Sequence, residues 1–254
     1  MSHKVPNDAG PSRRDAELEE QAKIIGARTL HLCDDALARG EFFQLLRAHS
    51  VSHSLMRYVF LQYMFWRDQL HRWFALCILK SNNCREQDQK SAVLTLAHHI
   101  LTDLRDDHEL MYVDFLHDLG VGDDEIAASR PGLATLAYAQ SFFEDFGLGS
   151  ENLHETIAAL SGRELCAAIR NGIILRDYAS AYNLRQSEWL VLHERVEQEH
   201  YFDAIRPVLI RHGRDPARID TLMESVARGI ERHLRYFDDL LEEHRALSSS
   251  HQAD

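Results

Sequence analysis

WLVLHERVEQEHYFDAIRP, residues 189–207, is the stretch from which the rest of this chain is read. It carries His193, Glu197 and His200 at i, i+4 and i+7, a spacing that puts all three side chains on one stripe of an α-helix. Trp189, Val196, Ala204 and Pro207 share that stripe, so the polar groups look inward among apolar neighbours. A carboxylate flanked by two imidazoles is costly to bury unless something pairs with it. A bound transition metal supplies that pairing. The competing reading is an ordinary solvated helix face, because the chain has 16 His and chance pairs occur. Partner ligands elsewhere in the sequence decide between the two.

Composition bounds the problem. The 254 residues are 45% hydrophobic and 27% charged, enough for one large domain with a full core. Only 12 Gly and 5 Pro interrupt them, which predicts long uninterrupted elements. A formal net charge of −12 argues against nucleic acid and against an anionic membrane surface as partners. The expected partner is a small-molecule substrate. The window Met56–Leu79 is broken by Arg57, Arg67, Asp68, His71 and Arg72, so no membrane span is expected. Cys33, Cys77 and Cys166 sit in apolar helical patterns and read as small core residues; Cys84 lies in the polar SNNCREQDQK. Free thiols and a polar N-terminus without an apolar signal-like core predict a cytoplasmic protein.

Nearly every segment has helical period, with no strand-like alternation, repeat or glycine-rich phosphate loop. Residues 1–14 read as a disordered leader, 15–247 as a single helical domain and 248–254 as a frayed tail. Within the domain the pattern predicts seven to eight helices, near 15–38, 41–48, 52–80, 89–118, 132–146, 153–180, 187–211 and 216–246. The expected architecture is an all-α bundle of long antiparallel helices.

Two further stripes supply candidate ligands. Glu164 is a lone acid among Ile157, Leu160, Ser161, Ala167, Ala168, Asn171 and Leu175, and a lone acid on such a face needs a partner. The alternative partner is an arginine on a neighbouring helix. His108 lies on a stripe with Leu101, Leu104, Met111, Tyr112 and Phe115, directly after the acids of LTDLRDDH. Asp103 shares a face with His99, four residues earlier. A continuous helix would hold Asp103 about 140° from His108, so both reach one site only if the helix loosens between them. Three imidazoles (His108, His193, His200) and three carboxylates (Asp103, Glu164, Glu197) suit two irons, or manganese at one position, better than zinc.

These residues together resemble the heme-oxygenase-like diiron oxidases, which share the heme oxygenase fold with thiaminase-like and pyrroloquinoline-quinone-synthase-like proteins. The resemblance covers about residues 38–210. FFQLLRAHSVSHSLMRYVFLQYMFWRDQLHRWFA (42–75) is similar to the family's opening helices. LAHHILTDLRDDHELMYVDFLHDLG (96–120) is similar to its segment L-x-x-N-x-x-x-E followed by His. Asp103 then stands for the Glu ligand, His108 for the His ligand and Glu164 for the lone acid of the middle helix. His193, Glu197 and His200 match the closing His-x3-Asp/Glu-x2-His, the most specific element. The resemblance implies a heme-oxygenase-like bundle, two Fe(II) ions and O2 as co-substrate. It also implies oxidation of an amine, amino acid or fatty acid in a biosynthetic reaction. It argues against bound heme, since carboxylates stand where a porphyrin would lie and no glycine-rich distal helix is present.

One departure from the pattern is the short spacing and short arm of Asp103, for which Asp106 or Asp107 could substitute. His99 is expected to orient Asp103 through a hydrogen bond. Arg170 and Arg176 are candidates for clamping a substrate carboxylate, with plain surface residues as the alternative. Rival readings are a ferritin-like di-metal carboxylate protein, with Glu151-x-x-His154 as twin of Glu197-x-x-His200, and a non-catalytic helical binding module. A homodimer is an option through Phe142-Phe143 or the aromatic helix 58–74.

Overall fold

The computed structural model describes residues 13–105, 107–144, 152–180 and 187–250. The described residues hold helices and no strands. In chain order these are α1 (Arg13–Arg39), α2 (Glu41–Arg47), α3 (His53–Arg67), α4 (Leu70–Leu79), α5 (Gln87–Arg105) and α6 (His108–Asp118). They continue as α7 (Asp123–Ala128), α8 (Leu133–Phe143), α9 (Leu153–Ile173) with a π-helical extension Ile174–Ala179, α10 (Glu188–His212) and α11 (Pro216–Ser250). Four starts carry side-chain caps of the expected kind: Ser52 Oγ accepts from Leu55 N, Asn152 from His154 and Glu155 N, Ser187 Oγ from Leu190 N, and Asp215 Oδ1 from Arg218 N.

The helix count exceeds the expected seven to eight because two predicted helices divide and a short one is added. The 52–80 segment breaks at Asp68–Gln69, where no Gly or Pro marks the sequence; Trp66 and Trp73 stack across the break with centroids 6.0 Å apart. The 89–118 segment breaks before Asp107, whose φ of 51° and ψ of 36° lie in the left-handed region. Asp tolerates that region better than most residues because its side chain is short and polar. The added helix α7 opens on Asp123, Asp124 and Glu125, acids that suit a helix N-terminus. At the other end α11 runs on to Ser250, so Ser248–Ser250 extend the last helix instead of fraying; residues 251–254, like 1–12, lie outside the described residues.

The core is built around α9. Its residues are buried on nearly every side, as the apolar run LHETIAALSGRELCAAIRNGI requires. Helices α10 and α11 pack along it, with α1 beside them. The α9–α11 crossing is close because glycine faces backbone in both directions. A Cβ on Gly162 would stand 2.5 Å from the Val226 carbonyl oxygen, and one on Gly229 2.0 Å from that of Ala159. On its other side α10 meets α5. Pro207 lacks the N–H that would bond the carbonyl of Asp203, and Thr95 Oγ1 of α5 lies 3.5 Å from that oxygen. Cys33, Cys77 and Cys166 are buried and Cys84 is exposed, as their surroundings in the sequence suggest. Phe142 and Phe143 pack on Trp66 and Trp73, so the rings considered for a dimer contact are used inside the chain.

Candidate metal centre

Helices α5, α9 and α10 bring buried and partly buried polar residues to one small cavity of about 20 Å³. Asp103, Glu164, His193, Glu197 and His200 line it, with His99. The rest of the wall is Tyr63, Leu70, Phe74 and Trp189, joined by two guanidiniums, Arg67 and Arg163.

One group of donors is Glu164, Glu197 and His200. One ligand atom of each lies within 4.8 Å of the others, and both carboxylates are buried. Burial and the neighbouring Glu197 carboxylate push the Glu164 carboxyl up to about 8, against the pull of Arg163. Arg163 Nη2 forms an intimate ion pair with Glu164 Oε1. The arginine partner considered for Glu164 is thus its own helical neighbour, not one across the bundle. His200 Nδ1 is 3.4 Å from Glu197 Oε2.

Among the described residues this is the group of three whose ligand atoms come together; Asp103, His108 and His193 lie beside it without forming a second one. The left-handed turn at Asp107 rotates α6 relative to α5, and His108 Nδ1 comes 3.0 Å from Asp103 Oδ1. Burial opposes ionisation of Asp103, but the hydrogen bond and charge of His108 hold its pKa below the usual value. His108 stands behind the cavity wall, its ring 4.9 Å from that of His193. His193 Nδ1 is 2.8 Å from the Trp189 carbonyl oxygen, which fixes Nδ1 as donor and leaves Nε2 as a lone-pair donor for a metal. Burial and the charge of Arg67 push His193 down to about 3, so the ring is neutral at physiological pH.

His99 is in the cavity but does not orient Asp103; that hydrogen bond belongs to His108. The His99 ring stacks 4.0 Å from His200, and neither of its nitrogens has a hydrogen-bond partner although the residue is 1% exposed. Burial, then His200, hold it near a pKa of about 3. Orphaned buried nitrogens beside a carboxylate pair are what a metal site without its ion presents. The donor set therefore fits iron or manganese: imidazoles and carboxylates, and no thiolate.

Other candidates fall elsewhere. Asp107 is exposed on the turn and Asp106 lies outside the described residues. Arg170 is fully buried, bonded to Asn171 and to His233 Nε2 at 3.0 Å, and does not line the cavity. Arg176 is exposed and pairs with Asp177. Neither is placed to clamp a substrate there. Arg67 and Arg163, which do line the cavity, were not singled out from the sequence. For Arg163 a signal existed: every face of α9 is apolar, so a charge on it is a buried charge. Of the ferritin-like twin, Glu151 lies outside the described residues, and His154 is engaged by Asp88 at 2.9 Å.

A family model described as iron-containing redox enzyme matches residues 57–236, which include every donor named above. The chain belongs to that family. No curated protein matches the sequence. Solved structures show the fold. A TenA homolog from Pseudomonas syringae pv. tomato is 18% identical with a TM-score of 0.68, covering 94% of this chain and 98% of that one. A domain of unknown function with a heme oxygenase-like fold from Shewanella denitrificans is 14% identical with a TM-score of 0.70, covering 89% and 94%. A putative TenA-like thiaminase from Sulfolobus solfataricus is 14% identical with a TM-score of 0.57, covering 93% and 98%. The heme-oxygenase-like bundle is therefore the fold of this iron-family chain, and no described helix is long and apolar enough to cross a membrane.

Proposed function

We propose that this iron-family protein is an O2-dependent oxidoreductase that holds two Fe(II) ions, with manganese as an alternative at one position. The observation that carries the reading is the meeting of Asp103, Glu164, His193, Glu197 and His200 around one small buried cavity. Glu164, Glu197 and His200 would hold one ion; Asp103, His108 and His193 would hold the other. Glu164 or Glu197 would serve as the carboxylate shared between the two ions. The chemistry such a pair supplies when bound is reduction of O2 for attack on a C–H bond or an amine.

The chain's own residues do the remaining work. Trp189, Phe74, Leu70 and Tyr63 exclude water from the donors. The Trp189 carbonyl holds His193 in one tautomer, and His108 holds Asp103 ionised. Arg163 engages one oxygen of Glu164 and holds its side chain at the cavity. The substrate is a small amine, amino acid or fatty acid, oxidised at nitrogen or by C–H or C–C cleavage.

The ion pair between Arg163 and Glu164 favours a second reading, a metal-free helical binding module in which the polar groups form a closed network. The two orphaned nitrogens of His99 speak against it. Iron-dependent O2 consumption separates the two. Glu164→Ala and His193→Ala should each abolish it, and full activity in either variant removes that residue from the centre.

A further inference from the structure

The chain's 3 tryptophans, Trp66, Trp73 and Trp189, each carry a buried indole N–H without a hydrogen-bond partner. An unsatisfied buried donor is costly, and its repetition at every tryptophan calls for a reason. Their positions supply one. Trp189 is part of the wall of the metal cavity, and its ring lies 6.4 Å from that of Tyr63, which lines the cavity too. Trp66 follows Tyr63 by three residues on α3 and so shares its face. Across the α3–α4 break Trp66 stacks on Trp73 with centroids 6.0 Å apart. Trp73 is 7% exposed, against 0% for Trp66 and 2% for Trp189, so the row runs from the cavity to the edge of the fold.

Indole is among the side chains that most readily give up one electron. Where its N–H has an acceptor, the proton leaves with the electron. Here each N–H lacks one, so an oxidised ring stays a radical cation and each transfer moves an electron alone. Tyr63 serves as a bridge, since a phenol yields its electron together with its proton. Charge orients the row. The Arg67 guanidinium lies 5.5 Å from the Trp189 ring, whereas among the described residues no guanidinium lies over Trp66 or Trp73. A cation beside Trp189 makes a positive hole least stable there and drives it outward. We propose that Trp189, Trp66 and Trp73 form an outward path for oxidising equivalents, which protects the cavity when no substrate is bound. The oxidised centre takes one electron from Trp189, Trp66 refills Trp189, Trp73 refills Trp66, and a soluble one-electron donor such as ascorbate refills Trp73. The centre gains the electron that ascorbate loses, the proton that ascorbate releases goes to water, and every ring ends as it began. The source of oxidant rests on the oxidoreductase reading; the path itself does not.

The path is tested first in the metal-free protein, with 5-hydroxytryptophan introduced at position 189 as a trap more easily oxidised than tryptophan. A ruthenium tris-bipyridine oxidant generated by a flash in solution is too large for a cavity of about 20 Å³ and acts at the surface. The trap should be oxidised at a rate independent of protein concentration, and Trp66→Phe and Trp73→Phe should each slow it at least about tenfold. A trap that is not oxidised, or an unchanged rate in either folded variant, overturns the path. If Trp66→Phe does not fold, Trp73→Phe decides it. The second test supplies Fe(II) and O2 without substrate and reads oxygen addition to His99 and His193 by peptide mass spectrometry, with iron content measured on the same samples. Ascorbate should suppress that addition in the parent protein and fail to do so in Trp66→Phe or Trp73→Phe. A protein that takes up no iron yet fills the trap through Trp66 refutes the redox reading and keeps the path. Iron binding with equal suppression in parent and variants refutes the protective role alone.

Discussion

Asp103 and His108 face each other across a break in the helix, with His108 Nδ1 3.0 Å from Asp103 Oδ1. Five residues apart, they would point about 140° from one another on an unbroken helix. The left-handed Asp107 removes that divergence. Their part in the proposed centre thus depends on a backbone kink as much as on ligand type. Asp103→Ala should lose about one equivalent of bound Fe(II) while the ion at Glu164, Glu197 and His200 is retained. Anaerobic titration gives the stoichiometry, and equal loss of both ions would show that the two halves are not separate.

Arg163 and Glu164 are hydrogen-bonded partners in the core, each with a side chain 2% exposed. Removing one member of such a pair strands the other. Arg163→Met should therefore destabilise the metal-free protein by about 3 kcal/mol. A divalent ion on Glu164 replaces the lost positive charge, so the penalty should shrink when Zn(II) is present. Urea unfolding with and without the ion measures both values; an identical penalty in the two conditions would contradict the placement of a metal at Glu164.

The α9–α11 crossing positions Glu164, and its closeness is set by Gly229. Gly229→Ala forces a methyl group into the Ala159 carbonyl, 2.0 Å away, and should cost about 1–3 kcal/mol of stability. Gly122→Ala is the control, because nothing lies within 4 Å of its Cβ position. Chemical denaturation should separate the two variants clearly.

His233 gives the fold an acid sensitivity apart from the metal donors. Arg170 Nη1 donates to its Nε2 at 3.0 Å, so Nδ1 carries the proton and donates to the Tyr138 oxygen at 2.9 Å. Burial and the charge of Arg170 hold its pKa well below the usual value. The unfolded chain takes up this proton below about pH 6.5 and the folded one does not. The neutral ring is therefore no burden above that pH, and stability falls as pH drops below it, by up to about 1.4 kcal/mol per pH unit. His233→Gln should flatten the slope of metal-free stability between pH 6.5 and 5 by about one proton, as read from urea midpoints. An unchanged slope would mean that the ring is protonated in the folded state.

Much of this was legible in the sequence because helical spacing fixes which side chains share a face. The stripe of His193, Glu197 and His200 needed only the period of a helix, and Glu164 stood out as an acid among apolar neighbours. The need for a loosened helix between Asp103 and His108 followed from angle alone, although its place at Asp107 did not. What was hidden depends on tertiary contact. Asp68–Gln69 carries no breaker, so residues 52–80 read as one helix, with Arg67 noted only as a charge that breaks the apolar window. Arg67 is instead drawn inward by the faces of Tyr112 and Trp189, which come from α6 and α10. His99 shares a face with Asp103, which suggested a bond between them; the kink at Asp107 gives that place to His108. Arg170 and Arg176 are six residues apart on one run, yet the first is in the core and the second in solvent, a distinction set by what packs on α9 and its π-helical extension.

The most direct test of the central claim is anaerobic titration of the metal-free protein with Fe(II), followed by exposure to O2 while the visible spectrum is recorded. The account predicts saturation near two irons per chain and a transient absorption band that needs both iron and O2. Failure to bind iron, with no spectral change on adding O2, would contradict it and leave the buried groups as a structural network.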